Sequence, residues 1–436
     1  MISIHFRLLP LLVLVGMLAY LGGGCRTKYE TAVIVPQNLN AGLNMPGAKL
    51  LFGQTRKACE GVYSVSDGDN VFGNEIAAKW SYVVKNGTDT TYHFSLFCEP
   101  QATYFVLEGR QVADSIIFIG YWRRLTTADV GTASFVVQRN GGAKALLAPD
   151  CCQALKAGDV VLKGLYGNVE GERKYPLTLS FNRKLNPAPF QIIAHRSGGR
   201  TSDLLPASEN SVEIIRLAPE LGATGVEFDI RQTKDGVPIL YHDDQLNLRL
   251  TQKSGLIGPV ENYTYKQLSS LVRLINGEQI PTLEQALTAV IDDTPLQTVW
   301  MDSKLIRDMP LIREIHKKYI AKAAAQGRKV DIYIGLPTET TLNQFEALGD
   351  HRLAPSLCEL DTSIARRINA KVWAPRFTLG NPVESAKVMR SAGLKVFVWT
   401  LDVPDFIRQF IGKGSLDGIL TNYSATVAYY HYVQKP

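Results

Sequence analysis

From residue 191 to the end of the chain, short apolar runs alternate with amphipathic segments, and several of the apolar runs end in charged residues. Strand-like runs fall at 191–194, 226–230, 239–241, 298–301, 331–335, 372–374, 396–400 and 418–421. Helix-like segments lie between them at 208–221, 283–291, 311–326, 341–348, 383–392 and 404–411. Thr282 followed by Gln285 has the spacing of a capping box at a helix start. Strands that alternate with helices build parallel sheets, since two parallel strands need a crossover long enough to hold a helix. Roughly eight strands in about 240 residues suit one TIM-type (β/α)8 barrel. Periodicity alone leaves an open doubly wound sheet as the alternative.

The first half has another rhythm. Runs rich in Val, Ile, Tyr, Phe and Thr fall at 79–84, 91–97, 103–107, 115–120, 132–138 and 176–181. Turn signals such as Asn86-Gly87 and Asn140-Gly141-Gly142 separate them, the pattern of an antiparallel sandwich or barrel. The expected fold is therefore α/β, a C-terminal TIM barrel (191–436) preceded by a smaller all-β domain (49–182). Residues 183–190 contain Asn186-Pro187-Ala188-Pro189 and read as the linker. His93 stands alone in the β-rich half, which favours a structural role.

The N-terminus reads as an export signal. Arg7 precedes an apolar run, and Gly22-Gly23-Gly24 precede Cys25. A basic residue, a short apolar segment and small residues before a cut site make a secretory signal, here 1–24. Residues 25–48 read as a tether. Beyond Cys25, five of the six cysteines remain, and an exported chain could pair them. The net charge of +6 is mild, and no nucleic-acid-binding motif accompanies it.

The chemistry concentrates at strand ends. His195-Arg196 follow the first barrel strand, Glu227 and Asp229 lie on the second, His242-Asp243 follow the third, and Asp302 and Lys304 lie on a later one. Strand ends of a barrel converge on one mouth. Residues two apart on a strand share a face, so Glu227 and Asp229 are brought together. Carboxylates so placed repel unless a cation or proton sits between them. With Asp302 they suit a hard divalent cation such as Mg2+ or Ca2+. Two histidines facing a phosphodiester can divide acid and base roles. Arg196 and Lys304 suit a phosphate, one as a planar fork and one as a point charge.

These residues resemble the glycerophosphodiester phosphodiesterase signature in order and spacing. The resemblance runs through His195-Arg196, Glu209-Asn210, Glu227-x-Asp229, Asp235-Gly236-Val237-Pro238 and His242-Asp243. Residues 280–284, Val398-Trp399-Thr400 and 417–421 resemble later family segments. The small residues before Cys25 likewise resemble a bacterial lipoprotein signal. That likeness implies a cell-envelope protein held to a membrane by a lipid on Cys25.

The family resemblance implies divalent-metal-dependent cleavage of glycerophosphodiesters to glycerol 3-phosphate and an alcohol. It makes Glu227, Asp229 and Asp302 metal ligands and His195 and His242 the acid–base pair. Arg196 and Lys304 then contact the substrate phosphate, with Glu209, Asn210 and Trp399 in support. Some positions depart from the pattern. Ser197 stands where the family has Gly, and the insert at 198–206 is longer than usual. Asp302 replaces a Glu, and Asn422-Tyr423-Ser424 replace Asp-x-Pro. Two other readings stay open: a phospholipase-type diesterase acting on lysophospholipid or sugar diesters, and a surface binding protein without turnover.

Overall fold

Along Val130–Val137 every second residue is buried, namely Gly131, Ala133, Phe135 and Val137. That period of two belongs to a strand with one face on a core. The computed structural model describes residues 43, 45–127, 129–148, 155–168, 172–413 and 415–435. Cys25, the signal segment, most of the tether and Cys151-Cys152 lie outside these residues. Cys98 and Cys358 are buried free thiols.

The β-rich half contains β1 (Lys49–Leu50), β2 (Gly61–Asp67), β3 (Glu75–Lys85), β4 (Asp89–Cys98) and β5 (Thr103–Val112). It continues with β6 (Ser115–Arg124), β7 (Val130–Val137), β8 (Val161–Asn168) and β9 (Tyr175–Arg183). Strands β2 to β9 pair in sequence order, β9 returns to β2, and β1 adds to β5. All these pairings are antiparallel, so the domain is a closed up-and-down barrel rather than a sandwich. Phe72, Phe94, Phe105, Phe118 and Phe135 pack in its core. Strand β8 escapes a propensity reading because Gly164 and Gly167 interrupt it. The structure shows the use of Gly164: a Cβ there would lie 2.3 Å from the Phe135 ring.

The second half contains β10 (Gln191–Ala194), β11 (Gly225–Gln232), β12 (Pro238–Leu240), β13 (Thr298–Leu305) and β14 (Asp331–Leu336). It ends with β15 (Ser356–Cys358), β16 (Val372–Trp373), β17 (Lys395–Val398) and β18 (Gly418–Thr421). Eight parallel strands close through β10–β11 into a TIM barrel. One expectation needs correction. The run at 239–241 is not a barrel strand: β12 pairs antiparallel with β11 and lies outside the ring. Strand β15 takes the eighth place. Only three residues long, it has no periodicity to read.

The barrel helices are α1 (Val212–Leu217), α2 (Tyr265–Leu271), α3 (Leu283–Thr288), α4 (Met309–Ala325) and α5 (Glu339–Glu346). They continue with α6 (Thr362–Arg367), α7 (Val383–Ser391), α8 (Pro404–Gly412) and α9 (Ser424–Tyr432). Thr282 and Gln285 form both halves of the expected capping box at α3. Every residue of α9 is buried, Ser424, Thr426 and His431 included.

Helix α9 lies against the β-barrel, and one apolar cluster spans both barrels. Ala77, Phe97, Tyr104, Val106 and Leu125 come from the β-barrel; Leu221, Ala428 and Tyr432 come from the other side. Gly222 sits at this seam with φ +92°, and a Cβ there would meet Ala428 at 2.7 Å and Phe97 at 3.0 Å. Residues 183–190 are tied down as well. Asn186 N–H donates to Tyr432 O at 3.0 Å, and its side-chain amide donates to His431 O at 3.2 Å.

His93 is also part of this seam. Its Nε2 lies 3.0 Å from Glu220 Oε1, with Glu220 buried and His93 largely so. Burial pushes Glu220 up to about 8 and His93 down to about 4, so both are uncharged near neutrality. Lys85 and Glu108 are the other charges that act on Glu220. The folded pKa of Glu220 lies above its unfolded value, so its contribution is lost as pH rises toward 8. That of His93 lies below, so its contribution is lost as pH falls from 6.5 toward 4. Above the His93 window, from pH 6.5 to 8, Glu220 acts alone. It is expected to lower stability there by about 1–2 kcal/mol. Glu220→Gln should flatten this slope in urea unfolding; equal slopes in both proteins would refute the assignment.

Candidate active site

The carboxylates converge through strand register. Along β11, Val226 and Phe228 face the outer core, which turns Glu227 and Asp229 toward the lumen. Asp229 and Asp302 are register partners on adjacent parallel strands. Ligand oxygens of Glu227, Asp229 and Asp302 all lie within 4.8 Å of one another. Next along the ring, Gly335 pairs with Asp302, and a Cβ on Gly335 would strike Trp300 Nε1 at 2.7 Å. Trp300 belongs to the lumen cluster with Ile193, Tyr333, Phe397 and Leu420, and Trp399 packs against that cluster.

Three buried carboxylates impose an electrostatic cost on one another. Burial, then the charges of Asp229 and Asp302, push Glu227 well above the usual range. Burial and Asp229 raise Asp302 to about 6, against the opposing pull of Lys304. Burial also raises Asp229, but His242, Lys304, His195 and the Asn210 amide outweigh it and hold that carboxyl low. Lys304 Nζ lies 2.8 Å from Asp302 Oδ2 and 3.5 Å from Asp229 Oδ1. Asp229 Oδ1 and Asp302 Oδ1 are both buried without a hydrogen bond. Buried acceptors of this kind are normally satisfied. Two carboxylate oxygens without a hydrogen bond, beside a third carboxylate, form a donor set suited to a hard divalent cation.

His195 follows β10 directly and is half-buried. Its Nδ1 lies 2.9 Å from Asn422 Oδ1. Asp402 fixes the orientation of that amide, since Asn422 Nδ2 donates to Asp402 Oδ2 at 2.6 Å. His195 therefore donates from Nδ1 and keeps a lone pair on Nε2, which lies 3.9 Å from Glu227 Oε2. Burial pushes His195 down to about 4, with the Arg196 charge in the same direction. It stands in the site as a neutral acceptor.

His242 reaches the mouth by an unexpected route. Strand β11 overshoots, turns at 233–237, and returns as β12, so that Tyr241 N–H bonds Asp229 O at 3.0 Å. The next residue, His242, is thus set down beside the carboxylates. Arg196 Nη2 lies 3.0 Å from His242 Nε2, and His242 Nδ1 lies 2.7 Å from Asp243 Oδ1. A guanidinium can only donate, so Nε2 accepts and Nδ1–H points at Asp243. Arg249 donates to Asp243 and also reaches Glu209, at 3.2 and 3.3 Å.

Arg196 is fixed from several sides. It adopts φ +52°, a conformation uncommon for a side-chain-bearing residue. Its N–H donates to Glu227 Oε2 at 2.8 Å, and its Nη1 to Glu209 Oε1 at 2.9 Å. Asn210 has φ +58°; it donates to Asp229 Oδ2 at 2.8 Å and accepts from the Asp229 N–H at 3.3 Å. Trp399 Nε1 donates to Ala374 O at 2.8 Å, with the Arg376 guanidinium 4.7 Å above its ring.

All the barrel residues singled out from sequence thus meet at one mouth. Sequence reasoning missed Asp402 and Asn422 behind His195, Arg249 behind Asp243, and Glu359. Glu359 follows β15, the strand that was not foreseen. Burial, then the charge of Asp302, raise its carboxyl well above the usual range.

Acceptors for a cation and donors for an anion therefore stand side by side, the pairing that a charged phosphoric ester needs. The chain is a phosphoric diester hydrolase of the TIM-barrel class. Residues 195–426, a little over half of it, match the glycerophosphoryl diester phosphodiesterase family, and the chain belongs to that family. It is 26% identical over 241 residues to a Caldanaerobacter subterraneus glycerophosphodiester phosphodiesterase, covering 53% of this chain and 93% of that one. It is 30% identical over 248 residues to a Mycobacterium tuberculosis protein named probable glycerophosphodiester phosphodiesterase 2, covering 53% and 86%. Among solved structures, a Parabacteroides distasonis glycerophosphodiester phosphodiesterase is 22% identical, with TM-score 0.44, covering 55% of this chain and 96% of that one. An Oleispira antarctica phosphodiesterase, solved with the product sn-glycerol-3-phosphate, is 18% identical with TM-score 0.42, covering 56% and 96%. The β-barrel lies outside the matched residues.

Proposed function

We propose that this chain hydrolyses glycerophosphodiesters to glycerol 3-phosphate and an alcohol, with one divalent cation held by Glu227, Asp229 and Asp302. The observation that carries the reading is the pair of buried oxygens without a hydrogen bond, Asp229 Oδ1 and Asp302 Oδ1, beside Glu227. A bound Mg2+ or Ca2+ would supply Lewis-acid polarisation of the phosphate.

The protein's own groups divide the remaining work. The neutral, half-buried His195 presents Nε2 as base to the glycerol hydroxyl next to the phosphate. That oxygen attacks phosphorus, a cyclic phosphate forms, and the bond to the departing alcohol breaks. His242, whose Nε2 takes up a proton from solvent once Arg196 moves off it, delivers that proton to the alcohol while Nδ1–H stays on Asp243. Arg196, which covers His242 Nε2 in the free protein, turns to the phosphate when substrate enters. Lys304 holds a second phosphate oxygen. Water then opens the ring, with the two histidines in exchanged roles. We place this activity at the cell envelope through a lipid on Cys25, a reading that rests on the N-terminal sequence and that metabolic labelling with a fatty acid would test.

The primary test is release of glycerol 3-phosphate from glycerophosphocholine and glycerophosphoethanolamine, with added Mg2+ or Ca2+ and with EDTA. Turnover that needs the cation supports the reading. Folded, cation-loaded protein inert toward both diesters would overturn it.

A further inference from the structure

We infer that the β-barrel positions the active-site loop through Arg123, a residue outside the family-matched part of the chain. The inference rests on the diesterase reading above.

Arg123 lies on β6, with Tyr104 as its register partner on β5. It is 2% exposed. A guanidinium stays charged in proteins, so its burial is costly unless its donors are met. Its Nη2 donates to two main-chain carbonyls across the seam between the barrels, Leu204 O and Asp203 O, the latter at 3.2 Å, while its buried Nε makes no hydrogen bond. Both carbonyls belong to the segment 198–206. Leu204 has φ +52°, a conformation that leucine rarely adopts and that surrounding structure must enforce.

The segment is bracketed by the machinery. His195 and Arg196 precede it; Glu209 and Asn210 follow it. Thr201 N–H donates to Glu209 Oε2 at 2.8 Å, on the same carboxylate that holds Arg196. Arg200 forms a two-bond pair with Asp203, at 3.0 and 2.9 Å, and reaches the Tyr423 hydroxyl at 2.9 Å. Tyr423 is the neighbour of Asn422, the residue that orients His195. A Cβ on Gly199 would meet Leu205 at 2.6 Å and Asn422 O at 3.5 Å, so the loop lies directly on that segment. Arg123 therefore clamps the apex of a loop whose two ends carry the base, the phosphate arginine and their supports. It touches none of the reacting groups and is a positioning residue.

The test compares wild type, Arg123→Ala and Arg123→Lys. With a diester that the wild type turns over, Arg123→Ala should lower kcat by about 10- to 100-fold, with KM changed by less than about threefold. Arg123→Lys, which keeps a donor and the charge, should recover part of the loss, as should added guanidinium ion with Arg123→Ala. Hydrogen exchange of 198–206 should be at least about tenfold faster in Arg123→Ala, with the rest of the TIM barrel unchanged. Turnover within about twofold of wild type, or unchanged exchange in the loop, overturns the inference. So does a rate loss matched by an equal loss of folded protein. If the wild type cleaves no diester, the diesterase reading fails by itself, and the exchange measurement still decides whether Arg123 holds the loop.

Discussion

Asp229→Asn is expected to lower turnover by about 10³-fold, and EDTA should do the same to the wild type. Losing the cation removes several kcal/mol of charge stabilisation from the transition state, and each 1.4 kcal/mol or so is tenfold in rate. The substitution also removes one of three crowded acids, so the variant should remain folded. A second measurement separates lost binding from lost folding. Added Mg2+ or Ca2+ should raise the thermal midpoint of the wild type, because a ligand that binds only the native state stabilises it. The variant should show little of that rise. A variant with a full cation-dependent rise, or with wild-type turnover, would remove Asp229 from the ligand set.

The second large effect concerns the division of labour between the histidines. His242→Ala should slow hydrolysis of an alkyl diester such as glycerophosphocholine by about 10²- to 10⁴-fold. It should slow a p-nitrophenyl diester far less, since that leaving group departs without a proton. His195→Ala should slow both substrates alike, because the attacking hydroxyl is the same in each. The reverse pattern would exchange the two roles. The structural basis is the difference in backing: Asn422 for His195 and the Asp243 carboxylate for His242.

Much of this site was legible before any fold was known, for a specific reason. Glu227 and Asp229 are two apart on one strand, and a strand places such residues on one face whatever surrounds it. His195, at the end of the first strand, needed only the rule that barrel strands finish at a common mouth. His242 was foreseen at the mouth on wrong grounds. Its strand is not in the ring, and a hairpin excursion of β11 delivers it. Alternation of apolar residues does not distinguish a returning strand from a crossing one. Glu359 was invisible because three residues of β15 carry no period. Asp402, Asn422, Arg249 and Arg123 act through contacts between distant segments. Nothing local gives such residues their roles, and Arg123 has its partners in another barrel.

The apolar cluster that crosses the seam has a consequence for how this protein was assembled. Two domains that meet through a polar, hydrated contact can be exchanged, lost or duplicated by gene rearrangement with little penalty to either. Here Phe97, Tyr104 and Val106 lie in the same interior as Leu221, Ala428 and Tyr432. Cutting the chain near residue 190 would leave both pieces with bare aromatic faces, surfaces prone to association rather than to solubility. The two barrels therefore constitute one heritable block. Heating the protein should accordingly give a single calorimetric peak, with neither barrel outlasting the other.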